Sequence, residues 1–116
     1  MQQPKATMGI RHIGDHITVI DIQGEVSSAA ENALMDAYTD ACNHNARSII
    51  LNFSRMEYMN SSGIGLLVTL LIRANRQKQK LLTYGLSDHY KQIFELTRLN
   101  DAIRIFDSES EAVAAS

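Results

Sequence analysis

Ser48-Ile49-Ile50-Leu51-Asn52-Phe53 reads as a strand without polar alternation, and Asn60-Ser61-Ser62-Gly63-Ile64-Gly65-Leu66-Leu67, soon after it, opens a helix. The unbroken Ile49-Ile50-Leu51 run requires cover on both faces, as in a central parallel strand. The helix is predicted to run to about Lys78. Ile64, Leu66, Leu67, Val68, Leu70, Leu71 and Ile72 leave it little polar surface, so its first half is expected inside the fold. Arg73, Arg76, Lys78 and Lys80 then bring positive charge to the negative end of the helix dipole. They read most simply as a solvated helix end; a contact strip for an acidic partner is the other reading.

Working outward, Met8–Ile13 and Ile17–Ile22 are predicted strands separated by Gly14-Asp15-His16, a hairpin-length connection that pairs them antiparallel. Ile17 and Val19 fall on one face of the second strand, and Ile20 and Ile22 on the other. Gly24 is expected to end it. Ser28-Ala29-Ala30-Glu31 has capping-box spacing, and Ala30, Ala33, Leu34, Ala37, Tyr38, Ala41 and Cys42 form a helical stripe behind it, to about Asn45. Cys42 on that stripe is expected to be buried and unreactive. Beyond the second helix come a strand at Leu81–Tyr84 closed by Gly85, then a helix capped by Ser87 that buries Tyr90, Ile93, Phe94 and Thr97. A strand at Ile103–Phe106 and a terminal helix opened by Ser108-Glu109-Ser110-Glu111 complete the chain. The order ββαβαβαβα predicts an α/β fold: a small mixed β-sheet with an N-terminal antiparallel hairpin, right-handed βαβ crossovers and helices packed on the sheet. A single domain over residues 1–116 is expected, with an ordered core at about 8–113 and ragged ends, the first of which holds Pro4.

Composition removes several function classes. The 116 residues are 45% hydrophobic, sufficient for one core without a disulfide or metal staple. Against 13 acidic residues stand 11 Lys and Arg, so there is no basic excess for nucleic acid. Cys42 is the only cysteine, which excludes an internal disulfide and points to a reducing compartment. No signal peptide is apparent, and the apolar run Ile64–Ile72 is far short of the ~20 residues that span a bilayer. A cytoplasmic domain that neither enters membranes nor binds nucleic acid is the expectation.

The carboxyl ends of parallel strands collect function in open sheets. Three predicted loops share that edge: Gly24–Ser27, Ser54–Gly63 and Gly85–Ser87. Ser and Asn are preferred helix caps, so Asn60-Ser61-Ser62-Gly63 by itself reads as a cap. Its other reading is a presented hydroxyl, because a helix N-terminus favours a phosphate. The joint edge makes Ser27, Asn60, Ser61, Ser62, Gly63, Gly85 and Leu86 the candidate partner-binding residues. Other chemistry has less behind it. His12 and His16 stand across a hairpin turn with no Cys or carboxylate cluster beside them in sequence, so no metal site is expected. His44 and His89 read as surface residues near helix ends. Glu57 lies near Ser61 in sequence, but no nucleophile–His–carboxylate set is evident, so no catalytic residue is assigned.

Gly24-Glu25, Ile49-Ile50-Leu51-Asn52-Phe53 and Tyr58-Met59-Asn60-Ser61-Ser62-Gly63-Ile64-Gly65-Leu66-Leu67 together resemble the STAS domain family, in particular its bacterial anti-sigma factor antagonists. The resemblance runs from about Met8 to Val113 and implies a STAS-like fold. It also implies a non-enzymatic function without a cofactor: binding an anti-sigma factor that is also a serine kinase. In that family the kinase phosphorylates the first Ser of the motif, here Ser61, which switches binding off. A serine phosphatase reverses it. The family motif usually begins with Asp where this chain has Asn60, and often carries Gly-Glu-Leu-Asp where this chain has Gly24-Glu25-Val26-Ser27. Asn60 does not oppose phosphorylation, since a carboxylate there would repel the added charge. Two alternatives stay open. One is a constitutive STAS scaffold or transporter-associated subunit without a phospho-switch; the other is a small enzyme using Ser61 as nucleophile.

Overall fold

The computed structural model describes residues 6–116. Its elements are β1 (Thr7–Ile13), β2 (Ile17–Val26), a 3-10 turn at Ser28–Ala30, α1 (Glu31–Asn43), β3 (Ser48–Met59), α2 (Ser61–Arg76), β4 (Lys80–Tyr84), α3 (Asp88–Leu96), a second 3-10 turn at Leu99–Asp101, β5 (Arg104–Phe106) and α4 (Glu109–Ala115). The residues before Ala6, including Pro4, lie outside the described residues.

The five strands form one sheet in sequential order, with β1 antiparallel to β2 and every later pair parallel. Each crossover therefore steps one strand in the same direction. Crossovers of one hand then put their helices on one face. Ile20, Ile22, Ile49, Leu51 and Phe53 accordingly share a core with Leu34 and Ala37 of α1, Leu67 and Leu70 of α2 and Phe94 of α3. Val19, Ile50 and Leu82 point the other way and pack on Ala112 of α4. The expected division of β2 between two faces holds, and so does the two-sided cover of β3. No helix among the described residues is long and apolar enough to cross a membrane.

The structure departs from the expected boundaries where strands outrun their apolar cores. β2 does not stop at Gly24, and β3 does not stop at Phe53. The two continue together, through register shifts between Asp21 and Gln23 and between Gly24 and Glu25, to the pair Val26↔Met59. β4 accompanies β3 only as far as Asn52↔Tyr84. Beyond that point β3 loses its neighbour on the β4 side. Past Gln23, the last β2 partner of β1, β2 and β3 pair only with each other among the described residues, as a two-stranded ribbon; Ser54, Arg55, Glu57 and Tyr58 are exposed. Their polarity reads as a loop in sequence. Backbone pairing makes them a strand.

The helices carry smaller corrections. Ser27, not Ser28, is the first cap: its Oγ accepts from the Ala29 amide at 3.3 Å and opens the 3-10 turn ahead of α1. The first half of α2 is covered on one side only; Gly63, Leu66, Leu67 and Leu70 are buried, while Val68 and Ile72 are exposed. Thr97 is exposed as well. Cys42 is half-buried rather than enclosed: it stands in the last turn of α1, at the end of the stripe, with Gln79 Nε2 3.6 Å from its sulfur.

Candidate functional site

The turn from β3 into α2 is built almost without slack. Asn60 takes an extended conformation, and its Oδ1 accepts from the Gly63 amide at 2.9 Å, a side-chain N-cap. Its own amide donates to the Val26 carbonyl at 3.2 Å, which ties the helix start to the end of β2. Gly63 lies against that same carbonyl. A Cβ built on Gly63 would stand 2.4 Å from Val26 O and 2.7 Å from Met59 Cγ, so only glycine lets the helix approach. From the other side, the Met59 amide donates to the Tyr90 hydroxyl of α3 at 2.9 Å, a buried bond that replaces the missing sheet partner.

Ser61 and Ser62 follow this anchored cap and are both exposed. Because Asn60 supplies the capping oxygen, the Ser61 hydroxyl is not needed for it. The amides of the first helical turn lack intrahelical acceptors. Asn60 Oδ1 occupies that of Gly63, and the Asn60 carbonyl accepts from that of Ile64 at 3.1 Å. The positive end of the α2 dipole thus sits at an exposed hydroxyl with no side-chain carboxylate on the preceding residue. Chemically, the arrangement can present a hydroxyl, tolerate an anion, and offer a firm contact surface.

The structure gathers part of the expected constellation. Ser27, Asn60, Ser61 and Ser62 stand around the linked ends of β2 and β3, with Ser27 half-buried beside Val26. Gly63 is part of this turn but buried as packing. Gly85 and Leu86 differ from expectation. Leu86 is only 6% exposed and belongs to the main core, so its side chain offers no contact surface. Gly85 (φ +84°) presses on the Ser54 backbone, where a Cβ would lie 2.6 Å from the Ser54 amide. The reason is the β2–β3 ribbon: it carries Asn60 beyond the edge where β4 ends.

Two polar clusters join residues that are distant in sequence. On the α4 face, Arg11 donates from Nε and Nη2 to the two Asp21 oxygens at 2.7 and 2.8 Å, and it also pairs with Glu109. Asn52 donates to Asp21 at 2.7 Å and the Tyr84 hydroxyl to Glu109 at 2.8 Å. The Arg11 hydrogen bonds hold both carboxyls below their ordinary range, while burial, helped by Glu109, pushes the Tyr84 phenol up to about 12. A cavity of about 470 Å³ next to this network is lined by Arg11, Asp21, Gln23, Asn52 and Arg55, away from Ser61. The other cluster corrects the view of His12 as lacking a carboxylate neighbour: Asp40 and His44 of the α1 end stand against it. Nothing in β1 alone signals this. Asp40 and His44, however, are an i, i+4 pair whose shared helix face was legible. His89 is exposed in the first turn of α3, as expected.

Residues 9–112 match the STAS domain family. The chain belongs to that family. This STAS protein is 29% identical over 91 residues to the anti-sigma-B factor antagonist of Staphylococcus aureus (strain NCTC 8325 / PS 47), covering 78% of this chain and 84% of the relative. Its fold is that of the anti-sigma factor antagonist SpoIIAA in its unphosphorylated form, with a TM-score of 0.76 at 21% identity over 92% of this chain and 93% of the other. The Bacillus SpoIIAA structure in the phosphorylated form superposes with a TM-score of 0.73 at 21% identity, covering 94% and 98%. The mixed five-strand sheet and its helices are therefore the STAS arrangement.

Proposed function

We propose that this STAS protein is an anti-sigma factor antagonist: it binds an anti-sigma factor that is also a serine kinase, and phosphorylation of Ser61 releases that partner. The observation that carries the reading is the exposed Ser61 at the first position of α2, behind a cap that Asn60 makes without it. The relationship to an anti-sigma-B factor antagonist supports the class of partner. Ser27, Asn60, Ser61 and Ser62 are the contact residues in this reading. Gly63 shapes the turn from beneath, and Gly85 and Leu86 are left out. Binding and release are the whole activity; Ser61 is not assigned a nucleophilic role.

The switch acts through electrostatics at the interface. A phosphate on Ser61 adds about −1.5 to −2 charges. The α2 N-terminus returns roughly 0.3–1 kcal/mol of stabilisation, so the domain stays folded. A partner seated over the same hydroxyl would have to desolvate that charge or open a gap. A penalty of about 2.8 kcal/mol already weakens binding a hundredfold. A serine phosphatase resets the surface.

The test uses the cognate kinase with ATP on wild type, Ser61→Ala and Ser62→Ala, read by intact mass and by binding. Wild type and Ser62→Ala should gain one phosphate and lose the partner. Ser61→Ala should gain none and stay bound. Modification at Ser62 alone would move the switch by one residue. A kinase that binds all three forms and modifies none would leave a constitutive scaffold.

A further inference from the structure

We propose that His12, Asp40 and His44 form a site for one zinc-class divalent cation, at the opposite end of the sheet from Ser61. His12 belongs to β1 near the hairpin turn, and Asp40 and His44 to the last turn and C-cap of α1. His12 Nε2 is 3.1 Å from Asp40 Oδ2, and His44 Nδ1 is 3.7 Å from that same oxygen. One ligand atom from each of the three residues lies within 4.8 Å of the others. A tetrahedral zinc ion with ligand distances of 2.0–2.2 Å sets neighbouring donor atoms roughly 3.3 Å apart, so these separations bracket what the ion needs.

Three further observations point to a cation. Asp40 Oδ2 is shielded from solvent and receives no hydrogen bond of acceptable geometry, although His12 Nε2 lies so near. A buried carboxylate oxygen left this way is costly unless something positive meets it. His12 Nδ1 lies 3.0 Å from the Thr18 hydroxyl, a partner that fixes ring orientation and leaves Nε2 facing Asp40, as outer partners of metal-bound histidines do. Finally, the site sits at the negative end of α1. The two imidazole rings stack with centroids 3.9 Å apart. His44 Nδ1 is now 2.9 Å from the Asp40 carbonyl. The ion takes the place of that bond once the His44 ring, whose side chain is half exposed, turns out of its stack on His12 so that the two ring planes converge on the metal.

Two imidazoles and one carboxylate select zinc, cobalt, nickel or copper over magnesium and calcium, which prefer all-oxygen shells. Three protein ligands leave a fourth position for water. The ion would clip β1 to the end of α1, since its ligands come from both.

The experiment is equilibrium dialysis of the untagged chain against Zn²⁺, with metal analysis and thermal melts in parallel. One zinc per chain and a raised Tm are expected, and neither with Mg²⁺ or Ca²⁺. His12→Gln and His44→Gln should each weaken binding on the order of 100-fold, and Thr18→Val by at least tenfold. His16→Gln, His89→Gln and Cys42→Ser should bind as wild type does. His44 is exposed at a helix end, so its variant remains folded and informative even if His12→Gln does not. No stoichiometric zinc, or uptake that survives both His12→Gln and His44→Gln, would overturn the site and leave a His12–Asp40 ion pair. So would uptake lost in Cys42→Ser.

Discussion

Gly63 and Gly65 are two residues apart on α2, yet glycine matters only at one of them. Alanine in a helix interior gains about 1 kcal/mol over glycine. At Gly65 that gain is free to appear, because nothing stands within 4 Å of its missing Cβ. Gly65→Ala should therefore raise stability by roughly 0.5–1 kcal/mol. At Gly63 the same methyl meets a backbone carbonyl at 2.4 Å, which cannot swing aside as a side chain can. Overpacking of this kind costs about 1–3 kcal/mol, so the sign reverses and Gly63→Ala should destabilise. Urea midpoints of the two variants beside wild type decide it; equal shifts would show that the turn is looser than described. The motif's spacing places Gly63 among the candidate partner-binding residues, and its burial is not legible there because order along a chain carries no depth for a Cα.

At the scale of elements, α3 braces the end of β3. Past Asn52 the strand loses β4 as a neighbour, and the Tyr90 hydroxyl takes the Met59 amide in its place. Tyr90→Phe preserves the ring and strands a buried donor, at a cost of about 1–3 kcal/mol. Amide exchange should localise the effect: Met59 and its neighbours should exchange faster, while the Ile49–Leu51 segment follows global stability only. Uniform acceleration through the sheet would show that α3 is not the brace. Tyr90 was legible as a core residue from its helical spacing. Its hydrogen bond was not, because the acceptor role arises only where β3 has run beyond its partner strand. The same overrun accounts for Leu86, which packs into the main core and not on the edge with Ser61.

At the scale of the molecule, Arg11 links the first two strands to the last helix. Its partners Asp21 and Glu109 have carboxyl pKa values lowered from ordinary values of 3.8 and 4.5, chiefly by hydrogen bonds from Arg11. A carboxyl that ionises more readily when folded stabilises the fold above its unfolded pKa, and that contribution fades as pH falls through the lower folded value. The Arg11 side chain is 43% exposed and the two carboxylates about one-third, so the network should contribute about 1 kcal/mol and no more. Wild type should exceed Arg11→Met in urea midpoint at pH 6, and the gap should close as pH falls below about 3.8. A gap independent of pH would remove the ion pairs as its source.

Sequence by itself determined the order of strands and helices, the two-faced burial of β2 and β3, and the placement of Ser61 at the mouth of α2. Each of these follows from short-range periodicity and cap chemistry, which neighbouring residues carry between them. It did not determine how far β2 and β3 run, which of the motif's residues are packed inward, or that His12 meets Asp40 and His44. Tertiary structure decided those, because a polar strand needs only a paired backbone, and side chains from β1 and α1 become neighbours only when the hairpin and the first crossover close on one sheet.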